Sequence, residues 1–149
     1  MQPSSRLFVK IDAAGRAYIN GKPTPILFVQ LDADSRAYIN GKPIAHNNQK
    51  PTSKDQLTRA LIDFNRANSC GWVVLFASEL TKYNSVLETI SLFRRVGVSR
   101  VAIRHPFYPP NTAITPVSGV FEISELPLSY QVTGPRLADL QPQFSNCPR

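Results

Sequence analysis

The chain has 149 residues, 42% of them hydrophobic, and a formal charge of +7, which suits one packed core plus a tail. Its longest uninterrupted apolar run, Trp72 to Ala77, falls far short of the roughly 20 residues that span a bilayer. Met1 to Arg6 lacks the apolar stretch of a signal peptide, so the expectation is a chain that neither inserts in a membrane nor directs its own export.

The charge is unevenly placed. Residues 1–105 hold 15 Lys/Arg against 7 Asp/Glu, and residues 106–149 hold 2 against 3. A basic body attracts nucleic acid, acidic polymers or anionic membrane surfaces; the competing reading is scattered, solvated Lys and Arg. Aromatic residues interleaved with the basic ones, as RNA-binding surfaces require, are missing.

In chain order, the first feature is a tandem repeat at a spacing of 20 residues. Leu7 to Thr24 lies over Leu27 to Ile44, with 13 of 18 aligned positions identical. In each copy a β-rich run meets a turn cluster, and a second run (Ala37-Tyr38-Ile39 in the second copy) reaches Asn-Gly, a tight-turn pair that tolerates positive φ. Each copy predicts a β-hairpin. An isolated hairpin is marginal in water, so both must dock on something. The second copy has the shorter connection to the first helical pattern and is expected beside the core, with the first extending an edge or swapping into a neighbour.

Ser53-Lys54-Asp55-Gln56 fits a capping box, and Leu57, Ala60, Leu61 and Phe64 come next at helical spacing. That helix should end near Asn68, before Gly71. Trp72 to Ala77 reads as a buried strand. A second capping-box pattern, Ser85-Val86-Leu87-Glu88, opens a helix expected over 85–96, with Val86, Ile90, Phe93 and Gly97 on one face. Arg94 and Arg95 suit its C-terminal dipole, and Gly97 suits a left-handed C′ position. Val101-Ala102-Ile103 is a further strand. Trp72 to Arg104 is therefore the size of one βαβ unit with parallel strands.

Residues 106–149 hold 8 of the 13 prolines. Residues 117–123 and 128–132 are β-rich and read either as an added hairpin or as parts of an extended tail. The prediction is an α+β fold, a small two-layer sandwich of a mixed sheet and two helices, built as β-hairpin, helix, then βαβ. The expected organisation is an extra hairpin over 1–26, the main domain over 27–105, and a proline-rich extension over 106–149.

These elements, taken in order, resemble the periplasmic domain of the ExbD/TolR family. The resemblance rests on Leu27 to Asp32, Arg36 to Pro43, Leu57 to Leu61, Trp72 to Ala77, Tyr83, Val86 to Phe93, and Arg95 to Ile103. It covers roughly residues 27–104. It implies a small domain, usually dimeric, on the periplasmic face of the bacterial inner membrane; with no signal or anchor in the sequence, a cytoplasmic soluble form is the alternative. It implies as partners an ExbB/TolQ-type channel subunit and a TonB/TolA-type protein, with peptidoglycan as a further ligand class. The family's domain does no covalent chemistry. The family's transmembrane helix, with its proton-carrying aspartate, has no counterpart here. Ala77-Ser78-Glu79-Leu80 stands where members often have an Ala-Asp-Lys run.

Reactive chemistry finds little support among the residues. Cys70 and Cys147 form no CxxC or Cys/His cluster; they either pair in an oxidising compartment or stand as two thiols. Cys70 as a nucleophile lacks an identifiable base. His46 and His105 have no acidic or cysteine neighbour at ligand spacing. Asp12, Asp32 and Asp34 are explained as turn residues. No catalytic, cofactor-binding or metal-ligating residue is assigned, and no cofactor is implied. For binding, an edge strand suits β-augmentation by a peptide. Arg94, Arg95, Arg100 and Arg104 form a candidate basic end for an acidic partner, against the alternative of ordinary surface charge. A basic module for nucleic acid or an acidic polymer is the alternative function.

Overall fold

A computed structural model of the chain describes residues 6–14, 16–40, 52–68, 70–104, 119–127 and 130. Among the described residues, eight strands form a single mixed sheet. They are β1 (Arg6–Ile11), β2 (Ala17–Ile19), β3 (Lys22–Pro23), β4 (Ile26–Leu31), β5 (Ala37–Asn40), β6 (Trp72–Ala77), β7 (Arg100–Arg104) and β8 (Gly119–Glu125). Helix α1 (Lys54–Ala67) joins the second hairpin to β6, and α2 (Tyr83–Val96) joins β6 to β7. The spatial order is β3-β2-β1-β8-β7-β6-β4-β5.

The centre is parallel. β4 runs beside β6 from Ile26↔Trp72 to Leu31↔Ala77, and β6 runs beside β7 from Trp72↔Arg100 to Leu75↔Ile103. The βαβ unit expected over residues 72–104 is therefore present, and α1 makes a second crossover from the β4–β5 hairpin to β6. The α+β class holds.

Strand alternation sorts the core into two halves. Leu27, Val29, Leu31, Val73, Leu75, Ala77 and Val101 face the helices and pack with Leu57, Leu61, Val86, Ile90, Phe93 and Val96. Ile26, Phe28, Trp72, Val74, Phe76 and Ala102 face the other way. There the sheet curls, and Val9, Ile11, Ile19 and Ile123 from the first hairpin and β8 close over them. Phe28 and Phe76 meet edge to face in this half, with ring centres 5.6 Å apart. Coverage on both faces is why β4 and β6 are buried along their whole length and read as continuous apolar runs.

The two copies of the repeat thus occupy opposite ends of the sheet. The second supplies β4, next to β6; the first supplies β1–β3 and reaches the centre through β8. Of the two β-rich runs expected in the extension, the one over 117–123 falls largely in β8. It is an interior strand, antiparallel to β7 on one side (Ile103↔Ser124) and to β1 on the other (Val9↔Phe121). Its length satisfies the backbone of both neighbours, which a hairpin docked on the surface would not do. The 128–132 segment lies outside the described residues except for Tyr130.

Helix α1 starts as expected. Gln56 N–H donates to Ser53 Oγ, Ser53 N–H donates to Gln56 Oε1, and Asn68 is the C-cap. Helix α2 does not. It begins at Tyr83, with Lys82 as N-cap and no side-chain cap, so Ser85 and Glu88 make no capping box. The cause is the preceding turn. Thr81 Oγ1 donates to the Asp32 carbonyl (2.8 Å) and accepts from Ser78 N–H (3.1 Å), which pins the chain to the end of β4. The helix then starts two residues after Thr81, and Ser85 falls inside its first turn. At the other end Gly97 adopts φ 103° and closes α2, with its N–H and that of Val98 donating to Phe93 and Arg94 carbonyls.

Candidate functional site

The four arginines expected at one basic end stand in three environments. Arg94 is buried, 1% exposed, and its guanidinium donates to the carbonyls of Val98 (3.0 Å), Ser99 (3.1 Å), Leu126 (2.7 Å) and Pro127 (2.8 Å). It ties the α2–β7 turn to the segment leaving β8. Arg100 and Arg104 lie on the Ala102 side of β7. Arg100 stacks over Trp72 with its guanidinium carbon 5.6 Å from the ring centre, and Arg104 stacks over Phe76 at 5.8 Å. Burial pulls the Arg104 guanidinium below its usual range. Arg95, partly buried, lines a groove on the helical side of the sheet.

That groove has a volume of about 410 Å³ and lies between α2, the start of α1 and the turn of the second hairpin. Ser85, Glu88, Leu92 and Arg95 form one wall, because positions i, i+3, i+7 and i+10 share a helix face. Lys54 and Leu57 from α1 and Leu31, Ser35 and Arg36 from the hairpin complete it. Only Arg95 of these is a site residue expected from the sequence. The recurrence of Ser85, Glu88, Leu92 and Arg95 is present in the sequence, but a capping box competes with it for Ser85 and Glu88.

Both repeats carry the same polar lock at the hairpin turn. Asp32 Oδ1 accepts from the Asp34 and Arg36 N–H groups, and its Oδ2 accepts from Arg36 Nε (2.9 Å) and the Tyr38 hydroxyl (3.0 Å). Asp12 takes the equivalent four bonds from Ala14, Arg16 (twice) and Tyr18. These are turn-building carboxylates. Burial pushes the Asp32 carboxyl up, but the hydrogen bonds from Arg36 and Tyr38 together outweigh it and hold the group below the usual carboxylate range. At Asp12 the Arg16 N–H contributes most, and the carboxyl is again lowered. Burial, then the bond to Asp32, raises the Tyr38 hydroxyl.

Cys70 is not a free thiol, and Cys147 lies outside the described residues, as do His46 and His105. Among the described residues no three His, Cys, Asp or Glu side chains gather as a metal site. No described helix is long and apolar enough to cross a membrane.

Against known proteins, the chain matches no family model, and no solved structure matches it. It is 36% identical over 55 residues to a putative biopolymer transport protein ExbD of Synechocystis sp.. The match takes in 37% of this chain and 20% of that protein, so the chain spans about a fifth of the length of its relative. This partial likeness supports an ExbD-like relationship.

Proposed function

We propose that the chain is an ExbD-like accessory domain of an energy-coupled envelope transport system, working by protein–protein contact and doing no covalent chemistry. The observation that carries this is the 36% identity to the ExbD protein. The order of elements agrees with it: a hairpin, a capped helix and a βαβ unit build the centre of the sheet. On this reading the domain stands on the periplasmic face of the inner membrane, as a homodimer. It sits beside an ExbB/TolQ-type channel subunit and contacts a TonB/TolA-type protein or peptidoglycan. The partly buried arginines Arg95, Arg100 and Arg104 are the contacts offered to an acidic partner, and Arg94 holds the turn that leads into Arg100.

The test is co-expression with an ExbB/TolQ-type subunit and a TonB/TolA-type segment, followed by affinity purification and mass measurement. Recovery of the chain as a dimer with either protein supports the reading. A monomer that retains neither partner, under conditions in which those two proteins recover each other, removes it.

A further inference from the structure

Apart from any transport partner, we propose that the groove between α1, α2 and the second hairpin binds a small amphipathic anion, an oxygen-acid head carried on an aliphatic body. The first reason is unsatisfied hydrogen bonding. Arg95 Nε and Ser35 Oγ are both shielded from solvent, neither has a hydrogen-bond partner among the described residues, and both residues line this groove. A sheltered polar atom without a partner is uncommon in a folded protein and calls for an explanation. Arg95 Nε–H can only donate, so the missing group at that end must be an acceptor.

Charge points the same way. Arg36 is already engaged by Asp32 and Asp34. Lys54 and Arg95 make no ion pair within the described residues, and Glu88 is the single carboxylate in the wall. A guanidinium fork suits a planar carboxylate or a phosphate, since either accepts two parallel N–H bonds. The lining also carries Leu31, Leu57 and Leu92, set among Ala37, Thr52, Thr89 and Ser91. A volume of about 410 Å³ lies within the range of small-molecule sites. The ligand class is thus a carboxylate or phosphate head at Arg95, an aliphatic middle over the leucines, and room for a polar group at Ser35.

The probes are hexanoate and hexyl phosphate, with hexylamine and hexanol as controls, titrated calorimetrically into the full chain at low salt. Saturable binding of one or both anions is expected, with the amine and the alcohol roughly tenfold weaker or undetectable. Whichever anion binds more tightly identifies the head group. Arg95→Gln should weaken binding roughly tenfold, and Glu88→Gln should strengthen it about twofold by removing a like charge. Arg59→Gln, on an exposed part of α1 outside the groove, should leave it unchanged. Circular dichroism checks that each variant is folded; should Arg95→Gln fail to fold, the gain at the exposed Glu88 decides. Absence of saturable binding by both anions overturns the proposal, as does equal binding by folded Arg95→Gln or weaker binding by Glu88→Gln.

Discussion

Phe8 and Phe28 hold the same place in the two copies of the repeat, yet Phe8 is 60% exposed and Phe28 is 1% exposed. Each copy buries its odd-numbered strand residues: Val9 and Ile11 in the curled half of the core, Val29 and Leu31 against the helices. Only in the second copy is the even face covered as well, because the first copy folds over it. One sequence therefore serves as a half-buried strand in β1 and a fully buried one in β4. Phe28→Ala should cost about 3–5 kcal/mol, the range for emptying an aromatic site in a core. Phe8→Ala should cost under about 1 kcal/mol. Urea unfolding of the two variants measures both, and equal losses would contradict this assignment of faces.

The Asp32 lock makes a pH prediction with a definite sign. Its folded carboxyl is held below the usual range, so its contribution is complete above the unfolded value of about 3.9 and is lost as pH falls through the lower folded value. At neutral pH Asp32→Asn should lose about 2 kcal/mol, since charged acceptors make the stronger hydrogen bonds. The gap between wild type and variant should close as pH falls below about 4. Asp12→Asn, at the more exposed copy of the same turn, should show the smaller difference. Denaturant midpoints between neutral and acid pH test this; a gap that widens on acidification would rule it out.

How much is legible in the sequence depends on where local rules and tertiary contacts agree. Ser53 with Gln56, and Gly97 after Val96, are local patterns that nothing distant contests, and both ends form as expected. Ser85 with Glu88 is the same kind of pattern, but Thr81 reaches across to the Asp32 carbonyl and fixes the helix start earlier. The two basic residues of the last turn of α2 both suit the dipole, yet their fates differ. Arg94 continues the i, i+4 series of Val86 and Ile90 and so turns inward, while Arg95, about 100° around the helix, lines the groove. That series is present in the sequence, but a charged side chain on an apolar face reads as surface until its four carbonyl partners are in place. The pairing of β8 with β1 has no local signal, because pairing between residues more than 100 apart is decided by which strand edges remain to be filled.

Arg94 should accordingly behave as a core residue. Arg94→Met keeps much of the side-chain length but deprives four carbonyls of a donor, two of them after β8, at a cost of about 3 kcal/mol or more. Arg94→Lys should recover only part, because one ammonium cannot span two separated carbonyl pairs as a guanidinium fork does. Arg95→Met should cost under about 1 kcal/mol. Thermal and urea unfolding compare the three, and a loss at Arg94 no larger than at Arg95 would refute the clamp.

Gly71 should be intolerant for a spatial reason. A Cβ there would stand 2.6 Å from Phe64 Cζ and 3.1 Å from Asn68 Cβ, where the end of α1 turns into β6. Gly71→Ala forces the Phe64 ring or the helix end to move and should cost about 1–3 kcal/mol, as overpacking does. Combining it with Phe64→Leu, which withdraws the ring atoms, should restore part of the loss. A fully additive double mutant in urea unfolding would show that the two positions do not press on each other.

Ser35 makes the opposite prediction. It adopts φ 64°, in the left-handed region, where an L-residue is strained by about 1–2 kcal/mol, and the first copy of the repeat has Gly15 at this position. Its hydroxyl is also shielded and has no partner among the described residues, so deleting the side chain removes two unfavourable features together. The greater freedom of glycine in the unfolded chain offsets roughly 0.5–1 kcal/mol of that gain. Ser35→Gly should therefore raise stability by about 0.5–1 kcal/mol, whereas Ser35→Val, branched at Cβ, should lower it. Hexanoate has no polar group to reach this hydroxyl, so the affinity that should fall is that of 6-hydroxyhexanoate, to the level of hexanoate. Stability rising while affinity drops would show that a strained serine is kept at this turn for what it binds; stability falling would show that the serine side chain supports the turn itself.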